Sequence, residues 1–306
     1  MSGINTNRTN IELPGEVSSE IIQKTQEASA VMRLARKVAL PGRGMTIPMI
    51  TGDPEADWVE ETGQKPVSNP SLGKKVMTPY KLAVIVPFSD EFRRDYKALY
   101  DALVDRIPGV LAKKYDGTVF HGAAPGSGFD VLTNCTAQSI DTNASGEGGF
   151  YKALVAADMD ISAHDGDING FAMSPQARGE MLSALDSQKR PIFVNNVAEG
   201  AIPRLIGQPV RYSRGLYHAG NAASGSGSGA IAAKPDVIGF GGDWTKAMYG
   251  TVEGVMIDIS SQATLTIGSE TVNLWQNNMF AVKAEIEVGF IADTDCFDKI
   301  VRTHKA

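Results

Sequence analysis

The chain is poor in the residues from which active sites are most often built. Two cysteines, Cys135 and Cys296, and four histidines, His121, His164, His218 and His304, are spread over 306 residues. The cysteines lie far apart, which argues against a redox motif or a thiolate zinc site and leaves buried thiols as the expectation. No histidine has a second ligand at helical spacing. No Gly-x-Ser-x-Gly elbow is present. No Gly-Lys-Ser/Thr follows a glycine loop, and "GSGSG" at 225–229 and "GFGG" at 239–242 lack the dinucleotide spacing. Both read as linker and turn. A basic excess is missing too. The formal net charge is −6, so any contact with DNA or RNA is expected to be weak and local. No apolar run approaches a membrane span, and the N-terminus lacks the apolar core of a signal peptide. The expectation is a cytosolic chain with no membrane contact, no cofactor, no metal and no enzymatic activity on a diffusible substrate.

One string resembles a metal loop. "DGDINGF" at 165–171 supplies Asp165, Asp167, Asn169 and Gly170 in calcium-loop order. The closing acid should fall at Gln176, which cannot provide a bidentate carboxylate. The following residues also read as a strand. The string is expected to be a surface turn.

What is present is a particular order of parts. Residues 1–16 are polar. From 18 to 39 the spacing is helical, with Ile21, Ala28, Val31, Met32, Leu34 and Ala35 as an apolar stripe, Ser18 or Ser19 as cap, and Arg33, Arg36 and Lys37 near the C-terminal end. "MTIPMI" and "DWVEE" look like short strands. Residues 61–73 are turn formers. A returning strand is expected over 74–88, where Val76, Thr78, Tyr80, Leu82, Val84, Val86 and Phe88 alternate, with Pro79 and Pro87 suiting an edge. This predicts a two-stranded ribbon with a polar tip. It is marginal alone, so something in this chain or another must cover it.

Ser89 can cap a following helix with Asp90 and Glu91 in its first turn. Phe92, Tyr96, Leu99, Leu103, Ile107, Val110 and Leu111 form one face, with a kink expected at Pro108. Residues 122–261 alternate helix and strand as a compact α+β unit. In it, "INGFAMS", "RPIFV" and "QPVRYS" read as strands and Ser174 caps a helix beginning at Pro175. A flexible insertion is expected at 219–233. "KAMYGTVEGVMIDIS" reads as a hairpin turning at Glu253–Gly254. The last segment returns to sheet. There Phe280, Val282, Ala284, Ile286, Val288 and Phe290 are dry, and Lys283, Glu285 and Glu287 are wet. No internal repeat stands out.

This order, carried by "DWVEETGQKPVSNPSLGKKVMTPYKLAVIVPFSDEFRRD", "FAMSPQARGEMLSALDSQKRPIFV", "LIGQPVRYS", "GFGGDW" and "NLWQNNMFAVKAEIEVGF", resembles the major capsid proteins of tailed bacteriophages with the Hong Kong 97 fold. The resemblance implies an α+β capsid fold. Its parts are an N-terminal arm (1–44), an extension loop (45–88), a spine helix (89–121), an axial domain (122–262) and a return to the peripheral sheet (263–306). It implies self-assembly through pentamers and hexamers into an icosahedral head shell around a double-stranded DNA genome, assembled in the host cytoplasm. It also implies a separate scaffolding protein, a portal, weak contact with packaged DNA, and a place for a decoration protein. The alternative with the same fold is an encapsulin shell enclosing cargo enzymes.

The resemblance also suggests where copies meet. Trp58, Lys65, Pro66, Lys74, Lys75, Arg93 and Arg94 are the candidate inter-subunit contacts, and a neighbouring subunit is the expected cover for the ribbon. Some members of the family weld subunits through an isopeptide bond. By that resemblance Lys65 holds the lysine position, Asn278 the asparagine position and Glu285 the position of the base. The competing reading is that Asn278 turns the chain and Glu285 pairs with Lys283 or another neighbour. Asn277 is the other candidate for the asparagine in register.

Overall fold

The computed structural model describes residues 15–50, 58–59, 72–91, 96–141, 149–185, 188–193, 204–224, 232–252, 254–267 and 270–304. Helix α1 (Gly15–Ala28) is followed by a short helix α2 (Ala30–Leu34) and strand β1 (Arg36–Ala39). A single helix to residue 39 was the expectation. Ser29 ends it instead: its backbone is extended and its hydroxyl accepts from the Met32 N–H, capping α2. Arg36 and Lys37 are therefore exposed strand residues rather than helix-terminal cations.

Strands β2 (Met45–Ile50) and β3 (Leu72–Met77) pair antiparallel as the expected ribbon. Trp58 and Val59, from the anticipated strand "DWVEE", are not in a strand, and the rest of that string lies outside the described residues. The returning strand is not continuous. It leaves the ribbon at Thr78–Pro79 and becomes β4 (Tyr80–Ser89) in another sheet. The phase of alternation flips at the break. Met77 is buried and Val76 half exposed in β3, whereas Leu82, Val84 and Phe88 face the core in β4.

Helix α3 (Tyr96–His121) spans 26 residues, about 39 Å at the usual rise. Its described part buries Ile107, Leu111, Tyr115 and Val119 together with their neighbours Pro108, Ala112, Asp116 and Phe120. Val110, expected on this face, is half exposed. The stripe of i, i+4 pairs passes it by.

The rest of the chain builds two sheets. Strand β5 (Thr136–Ser139), helix α4 (Phe150–Ala163), β6 (Gly170–Met173) and helix α5 (Pro175–Ser183) come first. Ser174 caps α5 as expected, accepting from the Ala177 N–H. "RPIFV" contributes only an isolated bridge from Pro191 to Leu185. Strands β7 (Arg204–Leu205), β8 (Gln208–Tyr212) and β9 (Asp236–Gly242) complete a six-stranded sheet in the order β5-β15-β9-β6-β8-β7, where β15 is Phe297–Arg302. Residues 225–231 of the glycine-rich insertion lie outside the described residues.

The five-stranded sheet is centred on β14 (Met279–Ala292). Strands β10 (Ala247–Thr251) and β11 (Met256–Ser260) both run antiparallel to β14, the first along 288–292 and the second along 281–285. In place of the expected hairpin, β10 and β11 run in the same direction, the first ending at Thr251 and the second beginning at Met256. Strand β1 extends this sheet beside β10. Strands β12 (Thr264–Ile267) and β13 (Glu270–Asn273) form a separate hairpin.

The two sheets exchange strands twice. Between β9 and β10, and again between β14 and β15, a 3₁₀ turn follows an aspartate, Asp243 and Asp293 respectively. The Asp243 N–H donates to the Cys296 carbonyl and the Asp293 N–H to the Lys246 carbonyl, so each crossing holds the other. Both crossings carry the string Gly-Phe-x-x-Asp, at 239–243 and 289–293. This short repeat escaped the sequence reading. Residues 263–306 consequently return to the five-stranded sheet with β14 but end in the six-stranded one with β15.

Candidate functional site

The ribbon is anchored to the body at its root. Met77, fully buried, packs with Leu40, Ile47 and Ile291. Room for it comes from a glycine pair. Gly250 and Gly289 face each other across β10 and β14. A Cβ on Gly250 would stand 2.2 Å from Leu40 Cδ1, and one on Gly289 would stand 2.9 Å from Met77 Cγ. The loop after α3 closes the other side. The Thr78 N–H donates to the Gly128 carbonyl at 2.9 Å and the Tyr80 hydroxyl to the Ser127 carbonyl at 2.7 Å. Gly128 adopts φ +76, and a Cβ there would meet Thr78 Oγ1 at 2.5 Å, so this turn needs glycine.

Lys75 belongs to this root. Its Nζ lies 2.9 Å from Asp130 Oδ2 and donates to the Ala292 carbonyl, while the same carboxylate oxygen accepts from the Ala292 N–H. Lys75, a candidate contact to another copy, thus also has partners within its own chain. Lys74 is exposed on β3, and Trp58 is fully exposed. Lys65, Pro66, Arg93 and Arg94 lie outside the described residues.

The cover for β4 is also internal. All of β4, from Tyr80 to Ser89, pairs with β14 over Val288 to Met279. A neighbouring subunit was the expected cover for this whole return strand. Only β2 and β3 remain as a two-stranded ribbon.

Of the proposed welding residues, Asn278 and Glu285 are described, and each makes a contact within the chain. Asn278 is exposed with φ +52, in the left-handed region that asparagine tolerates, and its carbonyl accepts from the Asp90 N–H. Asn277 donates through Nδ2 to the Asn273 carbonyl. Glu285 lies 3.3 Å from Lys283 Nζ, which also contacts Asp258 at 2.9 Å. These carboxylates, Asp258 first, raise the Lys283 ammonium above its ordinary range. Glu285 lies seven residue steps on from Asn278, along the extended start of β14, about 23 Å away. One chain therefore does not bring the two together.

Two buried carboxylates complete the picture. Asp116 of α3 accepts from the Ser29 hydroxyl at 2.5 Å and from the Ala30 N–H at 2.9 Å, fixing the N-terminal helices to the spine. Burial raises its pKa, against the opposing pull of hydrogen bonds from Ser213, Ser29, Ala30 and Val31. In the six-stranded sheet, burial and the nearby Asp160 push Asp298 up to about 7, while the Gln138 amide pulls the other way. Both cysteines are free and buried, as expected, and burial pushes Cys135 up to about 12. No group of three or more His, Cys, Asp or Glu side chains suited to a metal occurs among the described residues. Among them, too, no helix is long and apolar enough to cross a membrane.

A model of the phage capsid family matches residues 11–291. The probable major capsid protein gp17 of Mycobacterium phage D29 is 26% identical over 295 residues, covering 91% of this chain and 86% of that protein. A structure from Microbacterium phage Oxtober96 is similar with TM-score 0.70 at 19% identity, over 90% of this chain and 91% of that one. The capsid of native GTA particle computed with C5 symmetry is similar with TM-score 0.62 at 14% identity, over 99% and 96% of the two chains. The shared architecture is the Hong Kong 97 fold.

Proposed function

Because this chain belongs to the phage capsid family, we infer that its work is mechanical: it is a major capsid protein, a repeated subunit of a tailed-phage head shell. The observation that carries the reading is the ribbon. Its root is locked into the body by Met77, Thr78 and Lys75, yet β2 and β3 pair only with each other among the described residues. A two-stranded ribbon is marginal alone, and its open edges suit burial against another copy. Trp58 and Lys74, both exposed, are proposed contacts there, with Lys65, Pro66, Arg93 and Arg94. The encapsulin alternative is not favoured, since the curated relatives are phage capsid proteins.

The finer assembly follows the family pattern. Copies form pentamers and hexamers, in line with a structural neighbour solved in five-fold symmetry. Assembly takes place in the host cytoplasm with a separate scaffolding protein and a portal. The shell encloses double-stranded DNA through weak contacts, and a decoration protein docks outside. Residues 1–44, 45–88, 89–121, 122–262 and 263–306 act as arm, extension loop, spine, axial and peripheral segments. Size exclusion followed by electron microscopy tests the reading: shells or capsomers are expected, and a monomer that never assembles with scaffold present refutes it.

The cross-link proposal acquires a condition. Because Asn278, just before β14, and Glu285, within it, stand about 23 Å apart, Lys65, Asn278 and Glu285 must be assembled from different copies. Mature particles boiled in detergent should give a ladder of covalent oligomers, lost in Lys65→Ala and in Glu285→Ala. A single monomer band removes the weld.

A further inference from the structure

Between α3 and the turn at 213–218 runs a cleft of about 610 Å³, lined by Lys113, Lys114, His121, Arg214 and Tyr217 among others. No carboxylate lines it among the described residues. Lys113, Lys114 and Arg214 are exposed, and none of them has an ion-pair partner among the described residues. In a chain of net charge −6 this is a local reversal of sign.

The cleft is built rather than incidental. The helix and the turn touch where a Cβ on Gly215 would stand 2.3 Å from the Lys113 carbonyl oxygen. The Gly215 N–H donates to the Ser213 hydroxyl, and Ser213 in turn bonds the buried Asp116. His121 Nε2 donates to the Gly215 carbonyl at 2.9 Å, and its ring stacks on His218 with centroids 4.7 Å apart. Burial first, then the neighbouring His218 and Lys114, lower the His121 pKa. These surroundings disfavour the charged His121 ring, and a bound anion would oppose them.

We propose that this cleft binds phosphodiester oxyanions of the enclosed nucleic acid, through Lys113, Lys114 and Arg214. The inference deepens the proposed shell function and rests on it for the source of the ligand. Two ammonium groups and a guanidinium fork are the side chains that hold phosphate best. Three contacts of this kind give weak, salt-dependent, sequence-independent binding, which a closed shell repeats many times.

The test uses the unassembled wild-type subunit and the triple variant Lys113→Ala, Lys114→Ala, Arg214→Ala. Fluorescence anisotropy would follow a labelled mixed-sequence duplex, with a glutamate-rich peptide and inorganic phosphate as competitors, across a salt series. Wild type should bind the duplex, phosphate should compete, and the slope of log affinity against log salt should fall by about 2–3 in the variant. The His121 imidazole should titrate at higher pH when duplex is bound. Equal slopes for the two proteins, or no duplex binding, overturn the proposal. Preference for the acidic peptide also overturns it and makes the cleft a protein-docking surface. Electron microscopy of both proteins separates the two ideas. A wild type that assembles but fails to bind sinks only the cleft, whereas one that never assembles sinks the shell reading.

Discussion

Gly250→Ala should unseat the ribbon while leaving the body folded. The added methyl would stand 2.2 Å from Leu40 Cδ1, 2.3 Å from Leu40 Cγ and 2.7 Å from Met77 Sδ. Carbon atoms prefer roughly 3.5–4.0 Å. The Leu40 Cγ contact matters most, because it cannot be relieved by rotating a terminal methyl. Leu40 must move as a whole, and Met77 with it. Overpacking of this size costs about 1–3 kcal/mol. Leu40→Ala alone should cost about 2–5 kcal/mol through the cavity it leaves. The double variant is the decisive one. With Leu40 truncated, the methyl added at position 250 has space, so the two costs should fall short of additivity by at least about 1 kcal/mol. Urea denaturation of unassembled subunits, followed by circular dichroism, measures all three, and electron microscopy scores assembly. Additive costs, or a Gly250→Ala subunit as stable as wild type with normal shells, would refute the notch as the seat of the ribbon.

Asp298→Asn should flatten the pH dependence of stability. Asp298 is raised to about 7 from 3.8, so its protonated form favours the fold; that stability is whole below about pH 4 and lost as pH climbs through about 7. By linkage the loss is on the order of 4 kcal/mol at most, and identical urea midpoint shifts between pH 4.5 and 8 in variant and wild type would contradict it. Lys75→Met should lower subunit stability by roughly 1 kcal/mol, since the ion pair with Asp130 is partly exposed, and leave assembly intact. Undiminished subunit stability with failed shells would return Lys75 to the inter-subunit surface.

Much of the body was legible because burial writes alternation into strands. Phe280, Val282, Ala284, Ile286, Val288 and Phe290 are all buried, as their period of two required. The same signal misled at 74–88, where β3 and β4 each alternate but in opposite phase, and a two-residue break at Thr78–Pro79 hides the switch. Glu253–Gly254 carries turn chemistry, yet β14 is long enough to hold β10 and β11 in file, so pairing overrides the local signal. Ser29 was readable as a cap, but helical spacing continued on both sides of it. At the ribbon root the sequence offered Lys75 as a candidate contact to another subunit. Its partner Asp130 lies 55 residues on and Ala292 lies 217 away, separations no local pattern reports. The repeated Gly-Phe-x-x-Asp was in plain view, and its meaning came only with the reciprocal crossing it forms.

That crossing bears on how a shell of such subunits changes shape. If the two sheets hinged apart, the bond from Asp243 to Cys296 and the bond from Asp293 to Lys246 would have to break together. Asp243 and Cys296 are buried, so losing their bond would leave polar groups away from water, at about 1–3 kcal/mol, while the part-exposed Asp293–Lys246 bond would cost less. The spine is tied in as well, through Asp116 to the N-terminal helices and through His121 to the turn at Gly215. The proposed contacts between copies would carry no such penalty if each is individually weak and the closed shell multiplies them. Rearrangement of the shell should therefore be taken up between subunits, at ribbon and arm, with the two-sheet body moving as one piece.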